Sequence, residues 1–140
     1  MKNNLYLDMV LDSCNFLLFD DKNKIIDQFF IKTNNNLIDK VIDYLNTFLN
    51  KNNLKYNNLN NLYVNIGPGS FTGTKAIVNI VKTIKLVFKD INIFTITNDL
   101  VFNKGNGISI IDAKSNKYYI SVYENYNEQV KLSIYNSNEK

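Results

Sequence analysis

Leu5, Leu7, Met9 and Leu11 alternate with Tyr6, Asp8 and Val10 near the start of the chain. Alternation of period two predicts a largely buried first strand ending near Asp8. Asn15 to Phe19 is a second short apolar run. Asp20-Asp21-Lys22-Asn23 has the composition of a tight turn, and Lys24 to Lys32 reads as a third strand. Three strands joined by short turns predict an antiparallel meander. The period then changes. Leu37, Ile38, Val41, Ile42, Leu45, Phe48 and Leu49 recur at spacings of three and four, the stripe of an amphipathic helix. Asn36 has the chemistry of its N-cap, and Asp39 suits its first turn. Lys51 to Asn61 is a polar connector, and Leu62 to Ile66 a short strand. Ala76, Ile77, Ile80, Val81, Ile84, Val87 and Phe88 repeat the helical stripe, with Val78 and Leu86 widening it enough for packing on two sides. Ile91 to Ile96 predicts a fifth strand and Asn98 to Phe102 a short helix.

Gly105-Asn106-Gly107 breaks the pattern, which then restarts with strands over Ile108 to Asp112, Lys117 to Glu124 and Val130 to Tyr135. The expected architecture is α/β. A complete lobe of order β-β-β-α-β-α-β-α over residues 1–104, built on a mixed sheet, is followed by a truncated second lobe over 105–140. That second sheet has no helices of its own and is expected to lean on the first lobe or on a partner.

Composition narrows the chemistry. The 140 residues include no His, no Trp and no Arg, and a single Cys. Without His there is no Ser-His-Asp triad, no Cys-His pair and no imidazole ligand. One Cys forms no internal disulfide, which fits a reducing, cytoplasmic setting. Cys14 reads as a small buried apolar residue, since no base is at hand to activate it. The net charge of +3 is thinly spread, unlike the clustered basic face of a nucleic-acid binder. Tyr118, Tyr119, Tyr123 and Tyr126 therefore read as hairpin core in preference to a stacking platform for bases. No apolar run reaches the ~18–20 residues of a membrane span, and the N-terminus lacks the apolar stretch of a signal peptide. The abundant Asn residues are interleaved with periodic apolar positions and fit an AT-rich genome better than a low-complexity tract.

Asn65-Ile66-Gly67-Pro68-Gly69-Ser70-Phe71-Thr72-Gly73-Thr74-Lys75 joins a strand to a helix. Pro68 fixes its own φ, Gly69 is free to take a positive φ, and Ser70 suits a helix cap. Gly73, lacking a Cβ, permits close approach of a backbone or a ligand. Two readings stand at this point: an anion site at a helix start, or glycines that serve only a sharp turn and tight packing. The spacing G-x-x-x-x-G-K-[ST] of a phosphate-binding P-loop is absent.

The segment Gly67-Pro68-Gly69-Ser70-Phe71-Thr72-Gly73 is similar to the signature of the TsaB (YeaZ) family. Leu7-Asp8-Met9-Val10-Leu11-Asp12-Ser13-Cys14 resembles that family's first strand and turn. Ile110-Ile111-Asp112-Ala113-Lys114, followed by Tyr118, Tyr119 and Val122, resembles the start of its second lobe. The chain departs from the family at Met9, where Thr is usual, and at Lys75 and Lys114, where Arg is usual. Lys keeps the charge and loses the bidentate fork.

The resemblance implies the actin/Hsp70/sugar-kinase (RNase H-like) fold. It also implies an accessory, non-catalytic subunit of the machinery that attaches threonylcarbamoyl to the tRNA adenosine beside the anticodon. The implied partners are a TsaD-like catalytic subunit and a TsaE-like ATPase, with a homodimer when alone and tRNA met only indirectly. No cofactor of its own and no metal are implied; ATP or ADP with Mg²⁺ enters only at the interface of the complex. The two helices are the implied docking surface, drawn from Leu37, Val41, Leu45, Phe48, Ile77, Ile80, Val81, Ile84 and Val87. Against this stands their use as ordinary core. Asp8 and Asp112 match positions of phosphate-loop or metal-site acids in the superfamily, where they and Asp12 would hold Mg²⁺ in a shared cleft; the alternative is Asp capping a turn. The competing function is a small nucleotide-binding enzyme of the same superfamily, a phosphotransferase or a peptidase-like protein.

Overall fold

A computed structural model of the chain describes residues 2–11, 13–32, 37–103 and 105–137. Asn36 and Asp12 lie outside them. The chain divides into two units, Met1–Ile66 with Ser70–Thr95, and Gly67–Gly69 with Ile96–Lys140. The division falls at 95/96, where the sequence suggested 104/105. The reason is burial: the short helix at Asn98–Asn103 packs its Asp99 and Asn103 against the second sheet.

The first unit holds strands β1 (Asn3–Asp8), β2 (Ser13–Phe19), β3 (Ile25–Lys32), β4 (Leu59–Asn65) and β5 (Asn92–Ile96), in the order β3-β2-β1-β4-β5. β1 pairs antiparallel with β2, and β2 with β3, as the meander predicts; β1 pairs parallel with β4. Leu5, Leu7, Phe16, Leu18, Leu62 and Val64 share one buried face. Helices α1 (Leu37–Lys51) and α2 (Phe71–Val87) close that face, and together these residues form one hydrophobic cluster. The cross-strand pair Phe16 and Phe29 stacks at 5.2 Å, with Phe48 and Tyr44 of α1 against it. Lys51 at the end of α1 reaches Asp27 of β3 at 2.7 Å.

The helices correct most of the expected docking set. Leu37, Val41, Leu45 and Phe48 of α1, and Ile77, Val81 and Ile84 of α2, are at most 7% exposed and belong to the unit's own core. Covering the sheet consumes that stripe. Ile80 stays half-buried and Val87 exposed. Leu86 is also exposed, so α2 packs on one side within its unit, where two were expected.

α2 starts at Phe71, earlier than its apolar stripe, because Ser70 caps it through its hydroxyl on the Gly73 N–H at 3.3 Å. β4 starts at Leu59, inside what reads as a polar connector, because its asparagines are used as sheet side chains. Asn61 donates to Asn4 Oδ1 at 2.7 Å and accepts from Asn92 at 3.0 Å, while Asn60 Oδ1 accepts from the Asn3 N–H. Asn4 is buried, so removing its donor leaves an unpaired oxygen. Asn61→Ala is expected to cost about 1–3 kcal/mol, seen as a lower urea midpoint with an unchanged slope.

In the second unit α3 (Asn98–Asn103) is followed by β6 (Gly107–Lys114), β7 (Lys117–Glu124) and β8 (Asn127–Asn136), an antiparallel sheet of order β6-β7-β8. α3 covers the face carrying the buried Ser109 and Ser121. The opposite face leaves Ile108 and Ile110 more than 60% exposed, beside the exposed Tyr118, Val130 and Tyr135. Tyr126 lies over Gly105, whose φ of 85° has no room for a side chain.

Candidate functional site

The turn after β1 is built by its aspartate. Asp8 Oδ1 accepts the Val10 N–H at 2.9 Å. Its Oδ2 accepts the Tyr6 hydroxyl at 2.9 Å and the Asn65 amide at 3.1 Å. Three protein donors thus occupy most of a carboxylate's roughly four lone-pair sites. That donor set does not fit a Mg²⁺ anchor, and Asp8 works as a turn cap. Burial, with the Asp8 charge and hydrogen bond, raises the Tyr6 phenol above its ordinary range. Burial and the same charge push the Cys14 thiol up to about 12. At pH 8 about one molecule in 10⁴ then carries the thiolate. Native protein should therefore resist thiol reagents that modify it at once in urea; equal rates in both would contradict this environment.

The loop between β4 and α2 is shaped by its glycines at two points. Positive φ falls at Gly67 (101°), and Gly69, though free to take one, is absent from the positive-φ residues. Gly67 O accepts the Asn98 N–H and Pro68 O accepts the Asn98 side chain, each at 2.8 Å; the Gly67–Pro68 peptide is cis. In the first unit, the Ser70 N–H donates to Val10 O, and Gly73 lies directly against the Met9 carbonyl. The neighbours of this helix start are backbone carbonyl oxygens, which repel an anion. The geometry therefore favours the turn-and-packing role of the glycines. Phe71 is exposed, and the Lys75 ammonium lies 5.7 Å from its ring centroid. Thr72 is exposed beside it.

Asp112, in the second unit, is exposed; it accepts the Lys114 N–H at 2.7 Å and stands 3.9 Å from the Lys114 ammonium. It caps the β6–β7 turn, where Lys114, Ser115 and Asn116 all have positive φ. Among the described residues no three His, Cys, Asp or Glu side chains gather as a metal site, and no helix is long and apolar enough to cross a membrane.

The outward side of the helix pair is a surface of a different kind. Ile42 of α1, Ile80, Thr83, Ile84 and Val87 of α2, and Tyr56 line an open groove of about 420 Å³. Ile38 and Ile42 are 41% and 52% exposed. The apolar stripe contained both, but as the outer of its two rows they stay exposed, Ile42 at the groove, while Leu37 and Val41 are buried in the unit's core.

No protein-family model matches the chain. The chain superposes on YeaZ from Pseudomonas aeruginosa with a TM-score of 0.75 at 13% identity, covering 96% of this chain and 66% of that one. A second P. aeruginosa structure, described as an uncharacterized protein with similarity to peptidase YeaZ, gives 0.78 at 13% identity, covering 97% and 67%. The α/β fold is thus YeaZ-like. By sequence the chain is 32% identical to the uncharacterized protein MG208 of Mycoplasma genitalium over 134 residues, and 32% identical to its Mycoplasma pneumoniae homolog over 133. Each match takes in 94% of this chain and 68% of the relative, so the chain spans about two thirds of their length. With that identity and coverage, the chain belongs to the family of M. genitalium MG208.

Proposed function

We propose that the chain is a non-catalytic accessory subunit of the TsaB kind, which binds and activates a TsaD-like catalytic subunit in forming threonylcarbamoyl-adenosine beside the tRNA anticodon. The observation that carries this reading is the loop Gly67 to Gly73, standing at the β4–α2 junction of a YeaZ-like fold. The docking surface is the outward face of α1 and α2, bordered by Ile38, Ile42, Ile80 and Val87. A second copy occupies that face when the partner is absent. A TsaE-like ATPase joins the assembly, tRNA is met through the catalytic partner, and ATP or ADP with Mg²⁺ enters only at the interface of the complex.

The test is co-purification with the TsaD of the same organism, followed by a threonylcarbamoylation assay with and without this chain. Loss of activity on its omission is expected; unchanged activity removes the reading. The second reading is an enzyme, favoured by the peptidase likeness under which one neighbour is described. Against it stand a buried Cys14 with a raised pKa and an Asp8 whose oxygens are held by Tyr6, Asn65 and Val10. Mg²⁺-dependent ATP turnover or peptide cleavage by the isolated chain would decide for the enzyme.

A further inference from the structure

Beneath α3 the second unit buries a set of polar side chains that do not satisfy one another. Asp99 is 1% exposed. Its Oδ2 accepts the Ser121 hydroxyl at 3.1 Å and the Tyr123 hydroxyl at 3.0 Å. Among the described residues its Oδ1 has no partner, and neither do Ser109 Oγ or Asn103 Nδ2, all three buried. The topology brings them to one place. Asp99 and Asn103 are one helical turn apart and share a face of α3. Gly107 and Ser109 of β6 stand opposite Tyr123 and Ser121 of β7, respectively. Asn103 lies over Gly107, with 3.9 Å between its Cβ and the position a Gly107 Cβ would take, while Asp99 lies over Ser121 and Tyr123. Ser109 is the remaining corner of that square, whose cross-strand sides are about 5 Å.

We infer that Asp99, Asn103 and Ser109 form a built site for a single bound water. The inventory of donors decides the guest. The Asn103 amide is oriented, because its Oδ1 accepts the Gly105 N–H at 2.7 Å, so the free group is an NH₂ donor. A carboxylate oxygen needs a donor, and a serine hydroxyl serves as either. Water accepts from Asn103, donates to Asp99 and completes its bonding at Ser109. A metal or ammonium ion suits Asp99 and Ser109 but has no acceptor for Asn103. Buried waters typically make about three such bonds. This water completes the seam between α3 and the β6–β7 hairpin.

The test is a crystal structure of the chain at about 1.2 Å resolution, with one crystal soaked in thallium(I) as a monovalent-cation probe. The expected result is an isolated peak within about 2.7–3.2 Å of all three atoms and no thallium anomalous signal there. In solution, the Asn103 side-chain NH₂ should show a nuclear Overhauser effect to long-lived water. Ser109→Val should abolish it while the α3 amide shifts remain native-like. A thallium peak, direct contact of the Asp99 carboxyl with Ser109, or density continuous with a protein side chain would each overturn the proposal.

Discussion

Replacing Gly73 by alanine is expected to remove about 3 kcal/mol or more of stability, although it exchanges glycine for the best helix former. Alanine in a helix interior gains about 1 kcal/mol over glycine. The opposing effect is steric. A Cβ at Gly73 falls well inside contact distance of the Met9 carbonyl oxygen, with the Met9 carbonyl carbon 3.2 Å and Ser70 Oγ 3.4 Å away. The colliding group is backbone, fixed by the Asp8–Val10 turn on one side and by β1 on the other, so no rotamer change relieves it. Either α2 moves off the sheet, opening the core around Ile77 and Val81, or the turn at Met9 deforms and breaks the Ser70–Val10 bond. Overpacking of this kind typically costs 1–3 kcal/mol, and more when the clash is with backbone. Thr72→Ala, exposed on the same helical turn, is the control and should change little. Urea unfolding of the two variants measures the difference. A Gly73→Ala protein as stable as the parent would remove the close approach from which the packing role of the loop is argued.

That close approach also marks how far the sequence could be read. Period-two and period-3.6 patterns located the strands and helices because burial on one face produces them directly. The boundaries that shifted, at Leu59 and Phe71, were fixed by polar side chains: Asn61 bridging Asn4 and Asn92, and Ser70 capping α2. Hydrophobic periodicity carries no record of such bonds. The glycine requirement was legible at Gly73, whereas positive φ appeared at Gly67 and not at the equally permissive Gly69, because composition names the permissive residues without telling which one turns. The proposed docking face was legible only as a stripe. The pattern of α1 contains two rows, and it takes the sheet's position to tell the covered row, Leu37, Val41 and Leu45, from the outer one, Ile38 and Ile42.

That distinction sets the last expected result. Val87→Glu and Ile42→Glu should weaken binding of the proposed TsaD-like partner by about 30-fold or more each, while Leu45→Glu should fail to fold. A hot-spot residue near the centre of an interface contributes about 2 kcal/mol or more, and each 1.4 kcal/mol is tenfold in affinity. A carboxylate enclosed without a partner adds its own desolvation cost. In the isolated chain Val87 is 67% exposed and Ile42 52%, so a charge at either stays in water and leaves the fold within about 0.5 kcal/mol of the parent. Leu45 is fully buried against the sheet, and a charge there has no solvent to reach. Ile25→Glu, 57% exposed on β3, is the surface control. Partner affinity by titration calorimetry, read beside urea midpoints, separates docking from stability. If Val87→Glu and Ile42→Glu bind as tightly as Ile25→Glu, the groove between α1 and α2 is not where the partner sits. If they bind normally and threonylcarbamoylation still needs the chain, the accessory role survives and only its surface moves.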